Sequence, residues 1–484
     1  MTRAGASGLL DPKYRAASLS LMALVAIASY NHLSVTAALP DIGDDLGRVA
    51  LLPWIITAEL VAAAIAVLAV GPFIDGSGAR RAFRVTVVAA LLSSAMCAAA
   101  PTMELLVAAR LVQGLAMGAL IGTALTGIGL VYDDEARPWA YALMSSVWGI
   151  MGIGSPAVAA ALVSTLGWRS VFLANLPVGL IAAAVGWSRM PPEAQAAEEP
   201  LDGRGLLILS GFTAALLVAT SYLSWYSIVL VAAGVLLAAL YVRHARGCES
   251  PIVRMPHVTK ARFWPIHVVA VLAVSGGTGA SVFLPLYLKA ARGSSVTFAA
   301  FAVVWPTLGW STAAWVAGKL QQYLRAQTVI LIGAAVIATG AVCATAATGV
   351  GASVPLLLST LICVGWGIGT ITTSSLSLLQ GRADLQEMGR VSSAHQFIRS
   401  LGFAYGAAVG GLIMFGVVDR RTGDTELVRD LLSDAEAVVD SAVADAVAVA
   451  YSWSLGAMAV LCVLTLPAAF ALSRSYNPER ITRD

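Results

Sequence analysis

At 484 residues, 58% hydrophobic and only 12% charged, the chain is far from the roughly 25% charged composition of soluble proteins. That excludes a soluble globular enzyme or nucleic-acid-binding protein and reads as an integral membrane protein. The net charge of +3 excludes little, because in a membrane protein the placement of charge decides.

A helix needs about 20 apolar residues to cross a bilayer. Fourteen runs approach that length: 17–39, 53–70, 83–100, 103–131, 139–164, 170–188, 205–223, 226–242, 263–287, 297–317, 327–347, 353–379, 391–416 and 450–473. The first, reaching Leu39, is too long for a signal-peptide core and reads as a retained span. An even count puts both termini on one side. With the N-terminus inside, inner segments hold 21 Lys/Arg when Arg84 at the inner edge of the third run is counted with them, and outer ones 7, with Arg110 and Arg399 inside spans. That bias favours an N-in/C-in topology.

The longest inner segments, 189–204 and 243–262, are rich in Pro, Gly and charge and read as linkers. They divide the chain into six, two and six spans: an N-terminal bundle 1–189, linkers with two inserted helices at 190–262, and a C-terminal bundle 263–484. The outer loop 417–449 carries eight acids and three arginines. Its residues Val428, Leu431, Ala435, Val438, Ala442 and Ala446 recur at helical spacing, which predicts a helix running into the last span. The five cysteines, Cys97, Cys248, Cys343, Cys363 and Cys462, form no CxxC pair and indicate neither a disulfide framework nor a metal site. No phosphate-binding loop or HExxH motif appears, so no cofactor is expected.

The polar residues inside spans carry the functional signal. In the first span stand Asn31 and His32; in the second, Trp54-Ile-Ile-Thr57-Ala-Glu59; in the fourth, Arg110-Leu-Val-Gln113-Gly114. An arginine inside a span costs at least about 2.5–3.5 kcal/mol unless paired or hydrated, although one near a helix end can snorkel outward. Counted from the outer boundary, His32, Glu59 and Arg110 lie at similar depth, roughly 11 Å at 1.5 Å per residue. A carboxylate, an imidazole and a guanidinium therefore share one layer. Glu59 either takes and releases a proton there or simply neutralises Arg110.

Between the second and third spans lies Gly71-Pro-Phe-Ile-Asp75-Gly-Ser-Gly78-Ala-Arg80-Arg81. Glycines permit a tight hairpin there and the arginines hold it inside. Asp75 can pair with an arginine or sit at the positive N-terminal end of another helix. The glycine rows Gly114/Gly118/Gly122 and Gly402/Gly406/Gly410 let helices approach closely. In the fifth span, Gly152, Gly154, Ser155 and Pro156 form a bend-prone cluster. Trp148, Trp305, Trp310 and Trp366 fall within spans and are candidates to line an amphipathic cavity, with His395 and Arg399 on one face of the thirteenth span.

The Gly71–Arg81 spacing resembles the cytoplasmic loop of the major facilitator superfamily, and Arg110-x-x-Gln113-Gly114 resembles its fourth-span signature. Trp168-Arg-Ser-Val-Phe172-Leu-Ala-Asn175-Leu-Pro177-Val-Gly179, then Leu201-Asp202-x-x-Gly205, resemble the 14-span drug:proton antiporter branch. The likeness runs from about residue 20 to 473. Three departures stand out. Asn31 occupies the branch's usual acidic position, Glu59 stands where it usually has tyrosine, and only Pro156 keeps the antiporter motif's pattern. The resemblance implies an all-α bundle of two six-helix halves, with Asp75 meeting the helix that opens near Val391. It also implies a multi-pass exporter in a bacterial inner membrane that couples protons to efflux of hydrophobic or amphipathic compounds. Other readings are a lipid or envelope-precursor exporter working with a periplasmic acceptor protein, a non-transporting sensor or scaffold, and uptake by symport.

Overall fold

Among the described residues of the computed structural model (14–48, 51–191, 200–221, 225–423 and 441–474), all regular structure is helical. Among those residues, twelve helices are long and apolar enough to cross a membrane. Two of the fourteen expected runs are not among them. In the helix Gly203–Ser221 only Gly203–Leu216 is a described apolar helix, below span length, and the run 297–317 is divided into Val296–Phe301 and Val304–Leu320. The expected helix across 424–440 lies outside the described residues. Beyond it, Ser441–Arg474 forms one unbroken helix.

Two units can be distinguished. The first comprises residues 1–217, 233–260 and 376–397, and the second 218–232, 261–375 and 398–484. In the first unit, α1 (Arg15–Ser34) continues through a 3-10 turn into α2 (Leu39–Leu46). Next in order are α3 (Leu52–Ser77), α4 (Ala79–Ala98), α5 (Met103–Val131), α6 (Arg137–Leu166), α7 (Arg169–Leu173) and α8 (Asn175–Gly186). Gly78 and Gly167, at φ 84° and 80°, end α3 and α6. A side chain there would strain the backbone, so glycine makes both sharp stops possible. The two helices expected as an insertion correspond to α9 (Gly203–Ser221) and α10 (Trp225–Gly247), and the short α11 (Met255–Thr259) comes after them.

The glycine row of α5 fixes how closely it lies on α3. A Cβ at Gly114 would stand 2.3 Å from the Glu59 carbonyl oxygen, and one at Gly118 2.1 Å from that of Ala63. Backbone thus meets backbone, as expected where lipid supplies no hydrophobic drive and contact must come from close packing. The consequence reaches the chemistry: this approach holds Glu59 beside Arg110. At one end of the unit, the Trp168-Arg169 pair clasps Asp45 in the last turn of α2, with Trp168 Nε1 donating at 3.0 Å and Arg169 Nη1 at 2.7 Å. Close by lies an apolar core of Val35, Ile42, Ile55, Met103, Leu106 and Phe172.

The remaining helices are α12 (Trp264–Val282), α13 (Leu284–Leu286), α14 (Val296–Phe301), α15 (Val304–Leu320), α16 (Ala326–Gly349), α17 (Val354–Gly381), α18 (Met388–Thr422) and α19 (Ser441–Arg474). The end of α17 and the start of α18 belong to the first unit. In the second unit, α12 and α16 pack on α19. Gly406 repeats the α5 device, with a Cβ placed 2.2 Å from the Ser275 carbonyl oxygen. Tyr451 stacks on Tyr287 at 4.6 Å and donates to the Ala280 carbonyl at 2.8 Å.

Candidate functional site

Arg110 is buried in α5, with Nε and Nη1 hydrogen-bonded and Nη2 facing a carboxylate. Nε donates to the Ile55 carbonyl at 2.9 Å, and Nη1 to Gln113 Oε1 at 2.6 Å and Asn31 Oδ1 at 3.3 Å. Nη2 lies 3.6 Å from Glu59 Oε2, and the Phe172 ring sits 5.9 Å away. This is an arginine satisfied inside the bundle rather than snorkelling to its surface, and Gln113 is the reason it can be. Gln113 itself donates to Ser94 Oγ at 3.0 Å and accepts from Cys97 Sγ at 3.2 Å; Asn175 Nδ2 also reaches Ser94, at 3.4 Å.

Glu59 is buried between Arg110 and the imidazole of His32. His32 Nδ1 lies 3.7 Å from the same Oε2 that faces Arg110. Both separations are ion-pair distances beyond hydrogen-bond length, so the carboxylate is held by charge. His32 is the exposed member of the group, its side chain 38% accessible against 4% for Glu59. The Trp148 ring meets it edge-on at 6.4 Å. Asn31, His32, Glu59, Arg110, Gln113 and Trp148 thus form one contiguous cluster. With Arg110 charged and Glu59 ionised it is neutral, and one proton on Glu59 or His32 makes it +1.

Asp75, a second buried acid of α3, is held by backbone. Its Oδ1 accepts from the Gly389 amide at 2.7 Å and Oδ2 from the Arg390 amide at 2.9 Å. These residues lie in the first turn of α18, which opens at Met388, three residues before the expected opening near Val391. A helix N-terminus carries unpaired amides and a positive dipole end, which is what a carboxylate seeks. Two glycines make the approach possible: a Cβ at Gly71 would lie 2.6 Å from the Gly389 carbonyl oxygen, and one at Gly389 2.3 Å from that of Gly71. Arg80 and Arg81 do not pair with Asp75. Arg80 Nε instead donates to the Met190 carbonyl at 2.9 Å, and Arg81 lies over Phe73.

The other expected residues are dispersed. Ser155 is buried in α6, its hydroxyl 3.7 Å from Met151 sulfur, whereas a Cβ at Gly154 would meet open space. Gly152 and Pro156 lie in the same helix. Trp305, Trp310 and Trp366 belong to the second unit, where Trp310 stacks on Phe403 at 6.1 Å. His395 belongs to the first unit and Arg399 to the second.

One assembly had no spacing to announce it. Asp202, His244 and Cys248 offer ligand atoms within 4.8 Å of one another. The carboxylate is already occupied, accepting from the Gly205 amide at 2.7 Å, His244 Nε2 at 2.8 Å and the Ile252 amide at 3.3 Å. Burial would raise the Asp202 pKa, but these three donors together hold it below the usual carboxylate value. At nearby His257 burial wins instead, drawing the imidazole below its usual value against the opposing pull of Glu387.

A profile of the Major Facilitator Superfamily matches residues 19–407. The chain belongs to this superfamily. It is similar to an uncharacterized transporter of the superfamily from Mycobacterium tuberculosis, 26% identical over 82% of this chain and 59% of that one. The chain therefore spans somewhat under two thirds of that relative. It also resembles the multidrug resistance protein 3 of Bacillus subtilis, at 24% identity over 84% of this chain and 80% of the relative. Among solved structures, a human organic anion transporter matches with a TM-score of 0.62 at 15% identity, covering 93% of this chain and 99% of that one. At that identity the likeness speaks for the fold alone. The chain is thus a multi-pass helical member of the superfamily, with proteins named as drug transporters among its relatives.

Proposed function

We propose that this transporter is a proton-coupled exporter of hydrophobic or amphipathic small molecules, working by alternating access in a bacterial inner membrane. The accompanying topology is fourteen spans in six, two and six, with both termini inside. The observation that carries the reading is Glu59, a buried carboxylate shared between Arg110 and the accessible His32. An ionisable group inside a span is by default functional. A relative named as a multidrug resistance protein supports the substrate class.

Ionised Glu59 balances Arg110. When a proton arrives, through His32 or directly, the cluster gains one positive charge and Arg110 loses its counter-ion. A bound amphiphile next to His32 and Trp148 then meets a changed charge. Coupling follows if the proton and the amphiphile favour different conformations. Asp75 supplies the mechanical counterpart: its hold on the first turn of α18 belongs to one conformation, so breaking it is a step of the cycle.

The test is ethidium efflux in everted vesicles, with and without a collapsed proton gradient. Wild-type protein should lose efflux when the gradient collapses. Glu59→Gln should lose the gradient-driven component yet still bind ethidium, with a flat pH profile. Gradient-driven efflux by the Gln variant at wild-type rate overturns the assignment of Glu59.

A further inference from the structure

The segment that leaves the second inserted helix, α10, is tied along its length to two different parts of the first unit. On one side are the inserted helices. Asp202, ahead of α9, accepts from the Ile252 amide at 3.3 Å, and Tyr241 of α10 bonds both backbone groups of Val253: its hydroxyl accepts from the amide at 2.8 Å and donates to the carbonyl at 3.0 Å. On the other side is the start of α18. Arg390 donates from Nη1 to the Pro251 carbonyl at 3.1 Å and from Nη2 to Ser250 Oγ at 3.2 Å. Glu387, one residue before α18, accepts from Arg254 Nη1 with one oxygen and from His257 Nε2, at 2.9 Å, with the other. Ile252, Val253 and His257 are buried.

Arg390 joins this arrangement to the Asp75 contact, because its backbone amide is one of the two donors that hold Asp75. One residue thus grips Asp75 with its main chain and residues 250–251 with its side chain. A connecting segment left free in water would have its backbone groups solvated and no defined path. Here, neighbouring residues are bonded in turn to the inserted helices and to the α18 start, the arrangement of a strap between two bodies.

We propose that residues Ser250–His257 are a strap that couples the inserted helix pair to the Asp75 contact, so that the pair restrains the opening of that contact. Tyr241, Asp202, Glu387 and the Arg390 side chain are positioning residues: none touches Asp75 by its side chain, and each fixes where the first turn of α18 sits relative to it. The added helices of this chain then act on the gate. The proposal rests on Asp75 being a gate contact but on nothing about the substrate or proton coupling.

Cys248 lies two residues before the strap and is partly accessible, while Cys97 and Cys462 are buried. The full-length protein with Cys343→Ala and Cys363→Ala, in lipid nanodiscs, therefore reports strap release as the rate at which a hydrophilic maleimide modifies Cys248. No substrate is needed, so failure of the transport reading does not affect the result. Tyr241→Phe removes both Val253 bonds with little change of shape, and Glu387→Gln weakens the other tether. Each should raise the modification rate roughly fivefold, the factor set by a lost hydrogen bond of about 1 kcal/mol. Asp75→Asn, whose side chain touches no strap residue, should raise it as well. Asp75→Asn combined with Tyr241→Phe should exceed the larger single effect by less than about twofold, because both release one coupled unit. An unchanged rate in Asp75→Asn overturns the proposal, as does a double variant whose effect is the product of the two singles. If Glu387→Gln does not fold, the Tyr241 and Asp75 arms decide alone.

Discussion

Glu59 and Asp75 are two buried acids in the same helix, α3, and their partners differ in kind. Glu59 is held by side chains, the Arg110 guanidinium at 3.6 Å and the His32 imidazole at 3.7 Å. Asp75 is held by the backbone amides of Gly389 and Arg390, at 2.7 and 2.9 Å. A contact between side-chain charges is broken by adding a proton, with every backbone atom in place. A contact with a helix N-terminus depends on where that helix sits, so it is broken by moving the helix. In the proposed cycle, one helix thus carries a chemical sensor near one end and a mechanical one at the other.

Arg110 separates the two acids most sharply. Arg110→Ala leaves Glu59 buried without its main counter-charge and should destabilise the protein by about 3–5 kcal/mol. The expected result is poor expression and a thermal unfolding midpoint in detergent lowered well beyond that of any Asp75 variant. Combining Glu59→Gln with Arg110→Met removes both charges and should restore much of the lost stability while leaving proton coupling absent. If the double variant is no more stable than Arg110→Ala, the pair is not what makes that site costly to break.

Gly118→Val tests the packing that brings the pair together. Its side chain would collide with the Ala63 carbonyl, where even a Cβ would stand 2.1 Å away. Overpacking of this kind costs typically about 1–3 kcal/mol. The midpoint should fall, and the pH profile of transport should be altered in whatever protein survives, since α5 can no longer hold Arg110 at Glu59.

Asp75→Asn should be gentler. An amide can still accept from one backbone N–H, and the loss of charge at the helix N-terminus is worth about 0.3–1 kcal/mol. Folding and insertion should be near normal, with the conformational balance shifted a few-fold and transport slowed. Wild-type transport at equal expression would contradict a gating role.

The smallest expected effect concerns the strap. His257 has a depressed pKa through burial, with Glu387, Arg254 and Arg390 the charged groups that act on it. Its neutral form is favoured on folding, so its contribution is present above the unfolded-state value of about 6.5 and is lost as pH falls toward the folded one. Asp202, also depressed, contributes above about 3.9 and is lost only below that. Amide exchange at Ile252 and Val253, corrected for intrinsic rates, should therefore loosen slightly between neutral pH and about pH 5, and His257→Gln should abolish that dependence. Loosening that persists in the Gln variant would assign it to another group.

Composition and charge placement alone determined that this is a multi-pass helical protein, because about 20 consecutive apolar residues have few other uses. Spacing alone put His32, Glu59 and Arg110 in one layer, because helical rise converts residue count into depth. The same count could not say that Arg110 is met by Asn31, Gln113 and the Ile55 carbonyl, or that Cys97, Ser94 and Asn175 continue the network. Those contacts depend on how the helices are rotated about their axes, which depth does not contain. By its residues alone Asp75 was legible as a carboxylate in search of a positive partner, with nearby Arg80 and Arg81 equally eligible. The family resemblance pointed to a helix opening near Val391 but named no amides. Only the tertiary structure chose the amides of Gly389 and Arg390, the latter 315 residues away in sequence. The strap was invisible for the same reason. Ser250–His257 reads as a linker because it has no periodicity, and its order comes from bonds to Asp202, Tyr241, Glu387 and Arg390, which the fold alone brings together.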